Sequence, residues 1–282
     1  MSVEFFKGRK LVIATMHGKE HVMAPVLERE LGVSVVVGAD INTDQLGTFS
    51  GEIERSMDPL EAAREKCRLA GGQYNCSLAI ASEGSFGPHP AMHFVLADDE
   101  IVLLLDLENG LEFKARELSS ETNFNGALLT SWREVKDFAR AARFPSHGLI
   151  VRKDKEDIQF MTKGITTHDL LEEKVTHLLG TYGQVYIETD MRAMHNPLRM
   201  QVIERATIKL AQLVNTVCPA CNTPGYSVVD VRAGLPCEAC GAPTNSTHAH
   251  IYGCQRCDHR DVKLFPHGKM NESPMFCTWC NP

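Results

Sequence analysis

Eight of the ten cysteines in this 282-residue chain fall in its last 65 residues as four Cys-x-x-Cys pairs: Cys218/Cys221, Cys237/Cys240, Cys254/Cys257 and Cys277/Cys280. Two thiolates at this spacing grip one face of a Zn²⁺ ion, and two such knuckles complete a closed tetrahedral four-cysteine site of the structural kind. Eight thiolates therefore predict two structural zinc ions. A segment this small has little core, so zinc binding, on the order of 10 kcal/mol or more per site, would supply most of its folding energy. Four knuckles pair off in three ways, and the sequence does not separate consecutive from nested pairing. Nesting of the two middle pairs is favoured, because Cys240-Gly241 followed by strand-like residues 248–252 running into Cys254 has the order of a zinc ribbon. A full thiolate set leaves His248, His250, His259 and His267 no ligand position.

With 43% hydrophobic residues the chain can bury one large core beside this satellite. Two units are expected: an α/β domain over residues 1–215 and a zinc-binding module with two four-cysteine sites over residues 216–282. The net charge of −7 offers no cationic excess to draw the chain onto nucleic acid or an anionic membrane. Within the module Arg232, Arg256, Arg260, Lys263 and Lys269 are balanced by Asp230, Glu238, Asp258, Asp261 and Glu272, so phosphate-backbone affinity is not expected there. No apolar run approaches the length of a membrane span, and the start MSVEFFKGRK lacks the apolar segment of a secretory signal. A cytoplasmic protein with no membrane role is the expectation, its partners a phosphorylated small molecule or another protein. In a reducing compartment paired cysteines read as metal ligands rather than disulfides.

Strand and helix patterns alternate ahead of the module, which predicts an α/β fold with a mixed or mostly parallel sheet covered by helices. Residues 11–14, 33–38, 77–81, 148–152, 158–161 and 184–188 read as strands, and residues 101–107 and 111–118 flank the hairpin signal Asn109-Gly110. Asp58-Pro59 opens a helix closed by Gly71-Gly72, Ser131 and Glu134 form a capping box, Thr167 caps a further helix, and Asn196-Pro197 starts a long one. Gly and Pro make residues 82–90 an expected irregular loop.

Three polar segments follow predicted strands, at residues 15–19, 82–89 and 189–196, and the carboxyl ends of parallel strands share the edge where ligands bind. Thr15, His17 and Lys19 precede a helix in an arrangement suited to an anionic group, although no phosphate-loop motif occurs. Glu83 follows a buried strand among small residues that include Ser85. With Glu52 and Glu54 it would make a Mg²⁺ site beside a polyphosphate, against the plainer reading of a solvated loop around Glu52, Glu54 and Arg55. Glu188, Asp190, Arg192, His195 and Arg199 crowd both charge signs around a helix start, supplying acid, base and anion clamp, or else a structural ion-pair network. Asn196 is expected to cap the helix and is also a candidate substrate contact. Glu83, Glu188, Asp190 and His195 are thus the catalytic candidates.

The segments ATMHGKEH, ASEGSFGPHP and ETDMRAMHNPLRM, with the tail from CPAC to CTWCNP, resemble an uncharacterised bacterial family, a domain of unknown function with a C-terminal double zinc ribbon. That resemblance spans essentially the whole chain and implies no reaction. Over the first third, SGEIERS at residues 50–56 and LAIASEG at residues 78–84 are similar in order to the metal-binding segments of inosine/xanthosine triphosphate pyrophosphatases, which remove non-standard nucleotides using Mg²⁺. His17 stands where that group has an asparagine, and Lys19 falls about one residue early. The likeness implies a Mg²⁺-dependent phosphohydrolase; the alternative is a non-enzymatic zinc-ribbon adaptor or ligand-binding protein. Convergence of the three polar segments into one pocket favours the enzyme.

Overall fold

In the computed structural model, which describes residues 2–40 and 58–282, the apolar run near the start of the chain becomes β1 (Lys10–Ile13). This strand organises the first sheet. It pairs in parallel with β2 (Ser34–Val37) through α2 (Glu20–Leu31), and in parallel with β3 (Leu78–Pro88), which follows α3 (Pro59–Tyr74). Parallel pairing stops there. β4 (Leu96–Asp106) and β5 (Leu111–Ser119) continue antiparallel, giving a mixed sheet of order β2-β1-β3-β4-β5. Gly110, at φ 66°, supplies the left-handed turn conformation between β4 and β5 that the Asn-Gly pair foretells.

A second, wholly antiparallel sheet has the order β6-β9-β7-β8, from β6 (Gly126–Leu129), β7 (Leu149–Arg152), β8 (Thr162–Ile165) and β9 (Val185–Thr189). Its apolar face buries Leu149, Val151, Val185 and Ile187 against Val135 and Phe138 of α4 (Trp132–Ala141) and Leu171 and Val175 of α5 (His168–Tyr182). The capping box at Ser131 and Glu134 forms as expected. With α1 (Ser2–Phe6) and α6 (Pro197–Asn215), the described residues hold six α-helices, and none is long and apolar enough to cross a membrane. The chain divides into a unit of Gly8–Leu210 and a second made of Met1–Lys7 with Ala211–Pro282, the boundary falling inside α6.

Local expectations fail at three places for identifiable reasons. Residues 82–88 are no loop; β4 supplies a full antiparallel partner and β3 runs on to Pro88. Gly71-Gly72 does not close α3, which ends at Asn75 in the left-handed region (φ 49°); a side chain at Gly71 would collide with Leu107, so this glycine serves packing. Residues 158–161 are not a strand, because Asp157 Oδ1 accepts the N–H groups of Gln159 and Phe160 and holds a turn.

The start of α6 accounts for its own free N–H groups. Pro197 has none, Leu198 N–H donates to His147 Nε2 (3.3 Å), and Arg199 N–H donates to Asn196 Oδ1 (3.0 Å). Ser146 Oγ donates to the Arg143 carbonyl, so it accepts from His147 Nδ1 (3.0 Å), which fixes the neutral tautomer with Nε2 free to accept. Burial, helped by Arg143, holds the His147 pKa below the ordinary histidine value of 6.5. A lowered folded-state pKa means the unfolded chain takes up this proton first, so the cap's stabilisation is complete above pH 6.5 and is lost as the pH falls through the folded value. The wild type should therefore exceed His147→Ala by about 1 kcal/mol at pH 8, and denaturant melts should show that advantage narrowing below pH 6.5.

Candidate functional site

In the smaller unit β10 (Ser227–Ala233), β11 (Thr247–Gly253) and β12 (Arg260–Leu264) form an antiparallel meander. Strand parity then sorts the knuckles. The first pair precedes β10 and the third follows β11, so both lie at one end; the second and fourth lie at the other. Cys218, Cys221, Cys254 and Cys257 accordingly make one cluster, and Cys237, Cys240, Cys277 and Cys280 the other, each with its sulfurs within 4.8 Å of one another. This interleaved pairing replaces the nested one expected from the sequence. Sγ–Sγ distances of 3.8 Å (Cys218–Cys257), 3.6 Å (Cys221–Cys254), 3.9 Å (Cys237–Cys280) and 3.7 Å (Cys240–Cys277) match the edge of about 3.8 Å of a tetrahedron with metal–sulfur bonds near 2.3 Å. The clusters are compatible with two structural zinc ions. The first two knuckles are built alike, with Asn222 (φ 60°) and Gly241 (φ 72°) turning left-handed directly after the second cysteine, and their N–H groups donate to the Cys218 and Cys237 carbonyls.

In the larger unit the three polar segments meet. Lys19 Nζ, at the start of α2, donates to the carbonyl (2.7 Å) and hydroxyl (2.9 Å) of Ser82 on β3. Arg199 of α6 pairs with Glu100 of β4 (2.5 Å) and donates to the Met191 carbonyl (2.6 Å) after β9. Side-chain atoms added at two glycines measure how closely the segments approach: a Cβ at Gly18 would lie 3.8 Å from Met194 Cβ, and one at Gly84 would lie 2.7 Å from Arg199 NH2 and closer still to Glu100 Oε1. An open cavity of about 470 Å³ lies between Gly18 and His21 on one side and Met194, Pro197 and Met200 on the other. A smaller one of about 60 Å³ is lined by Phe86, Phe124, Glu188, Asp190 and Arg192.

Burial tunes these groups. Desolvation, with Arg199 and Lys66 nearby, lowers Lys19 to about 8 against the pull of Glu100 and Glu83. Asp98, two residues before Glu100 on the same strand face, is pushed up to about 8 by burial and by the Glu100 charge. Asp98 Oδ1 and Glu100 Oε2 are buried with no hydrogen-bond partner among the described residues. Asp190 accepts Arg192 Nε (3.0 Å) and NH2 (2.6 Å) and the Gly164 N–H (3.0 Å), so its role is to position. His195 stands against Gly148 and Gly164, where side chains would crowd its ring; burial lowers its pKa while Asp190 opposes the shift. Burial raises Glu188, partly offset by its ion pair with Arg152.

Not every candidate joins this set. Strand alternation puts Ser82, Gly84 and Phe86 on the face that Arg199 approaches and Glu83 and Ser85 on the other, where Glu83 pairs with Lys66 of α3. Ser85 is exposed. Glu52 and Glu54 lie outside the described residues, and Glu83, one carboxylate already paired with a lysine, does not by itself make a Mg²⁺ site. Thr15 Oγ1 accepts the His17 N–H (3.2 Å) and shapes its own turn. Asn196 is fully buried; besides capping α6 it donates to Asn123 Oδ1 and Met191 Sδ. Sequence reasoning missed Asp98, Glu100, Lys66 and the role of Gly84. The available signal was a pair of acids at alternate positions leading into the apolar strand IVLLLD.

A family model described as a domain of unknown function (DUF6671) matches residues 66–282, a span that takes in Glu83, Arg199 and all eight paired cysteines but not Lys19. No curated protein matches the chain.

Gly84→Ala should destabilise the protein by about 2–4 kcal/mol, because the Arg199 and Glu100 tips it would displace are buried and cannot swing into water, whereas Gly87→Ala, which meets nothing within 4 Å, should melt like the wild type. Elemental analysis tests the interleaving. Cys218→Ser combined with Cys254→Ser should remove one zinc and Cys218→Ser combined with Cys237→Ser both; loss of both from the first combination would contradict the interleaving, and the second combination would then separate nested pairing (both lost) from consecutive pairing (one lost).

Proposed function

The chain belongs to the DUF6671 family, and we propose that its larger unit binds and hydrolyses a phosphorylated small molecule of nucleotide type, while its smaller unit is a double zinc ribbon with structural ions. The observation that carries the first half is the convergence of residues 15–19, 82–89 and 189–196, remote in sequence, around Arg199. Polar groups from segments remote in sequence, brought together beside cavities, are the arrangement a ligand site uses. Among the described residues of this cluster Lys19 and Arg199 face Glu100, while burial pushes Asp98 up to about 8, and this balance of charge favours an anion. His195, neutral at pH 7, suits proton transfer from water, held in place by loop contacts that Asp190 and Arg192 organise. Arg192, partly exposed, is the side chain best placed to meet a phosphate. A requirement for Mg²⁺ rests on the resemblance to the triphosphate pyrophosphatases, with Glu83 the one described carboxylate that would answer it once Lys66 gave way.

The second reading, a protein-docking adaptor, is favoured by one feature of the smaller unit: Met270, Met275, Phe276 and Trp279, around the second cysteine cluster, are all more than 60% exposed. A panel of phosphorylated metabolites with and without Mg²⁺, read by phosphate release, separates the two. The enzyme reading expects turnover of at least one member and a loss of tenfold or more in kcat/KM for Arg192→Ala and for His195→Asn, with melting temperatures retained. No turnover in either condition, together with no ligand-induced rise in melting temperature, would contradict it and leave the adaptor.

A further inference from the structure

Away from the three converging segments, α4 and α5 leave a groove of about 670 Å³ between them, lined by Trp132, Val135, Lys136, Ala139, Arg140, Phe144, His168, Leu171 and Glu172. Its floor is apolar, since Val135, Ala139 and Leu171 are buried, and the Phe144 ring meets His168 edge-on at 5.0 Å. Its rim is charged. Lys136 and Arg140 stand one turn apart on α4, opposite Glu172 of α5; Arg140 also touches Asp137 at 3.4 Å, an exposed contact that costs little to give up. Among the lining residues two cations stand against one acid; with Asp137, which pairs with Arg140 from outside the lining, the charges balance, and a bound anion would take Arg140 from Asp137.

We propose that this groove binds a small carboxylic acid with an apolar body, the carboxylate held by Lys136 and Arg140 and the body laid on Val135, Ala139 and Leu171 between Trp132 and Phe144. Size selects a small molecule over a docked helix. The volume lies within the range of small-ligand pockets, about 300–1,000 Å³, whereas three turns of α-helix with side chains fill about 1,200 Å³ or more. A bare phosphate would leave the apolar floor wet, and an uncharged lipid would leave the cationic rim unanswered. This site shares no residue with the cavities beside Arg192 and Gly18 and stands independently of the proposed phosphohydrolase.

The test uses the full chain carrying Trp279→Phe, which leaves Trp132, on the groove wall, as its one tryptophan. Titration with decanoate should change its emission saturably, and decanol should bind at least tenfold more weakly. Lys136→Glu with Arg140→Glu, both exposed positions, should weaken decanoate at least tenfold and leave decanol unchanged. No saturable response to decanoate, equal affinity for acid and alcohol, or indifference to the charge reversal would overturn the proposal, as would a response to an acidic amphipathic peptide without one to decanoate.

Discussion

Arg199 has no access to water, and neither has its partner Glu100. Taking both charges out of solvent costs several kcal/mol per ion, a cost recovered only when their geometry is good and further hydrogen bonds are made. Here Nε meets Glu100 at 2.5 Å and NH1 meets the Met191 carbonyl at 2.6 Å, while the guanidinium lies over the Phe86 ring at 5.2 Å. One side chain on the first turn of α6 thus joins the fourth strand of the mixed sheet to the segment leaving the antiparallel sheet. A charge pair so placed tolerates little rearrangement, and Gly84 is required because any side chain there would enter the space the pair fills. Lys19, which bonds Ser82 on the strand face that Arg199 also approaches, completes the meeting of the three segments.

The smaller unit follows a different constraint. Antiparallel strands return the chain to alternate ends of the sheet, so knuckles placed before, between and after three strands meet odd with odd and even with even. The cysteine clusters inherit their pairing from that parity. Each cluster then closes a long loop of chain, which explains how a segment whose strands β10 and β12 are largely exposed keeps a defined structure.

Cysteine spacing, the capping box at Ser131, the Asn-Gly turn and the Asn196 cap were legible because each depends on residues a few positions apart. The pairing of the knuckles was not, since it required β10 and β12, whose alternation in SVVDVRA and RDVKL is short and lies on an exposed sheet. Residues 82–88 misled for a related reason: glycine and proline signal a loop locally, yet the strand continues because β4 pairs with it from across the fold. In the sequence Glu83 stands as a carboxylate in need of a ligand. Lys66 answers it from the facing helix, a partner fixed by helix–sheet register rather than by sequence neighbourhood. Of the charged residues after β9, Asp190 and Arg192 pair locally, as their crowding suggested, while Arg199 finds Glu100 at a separation of 99 residues, beyond the reach of any motif.

Amide hydrogen exchange in wild type and Arg199→Met measures most directly whether this buried side chain holds the polar segments together. If it does, residues 82–88 and residues 189–196 should lose protection together in the variant, while the core strands β1 and β7 keep theirs. Faster exchange confined to residues 189–196, with residues 82–88 unchanged, would contradict that role and show the segments to be positioned independently of Arg199.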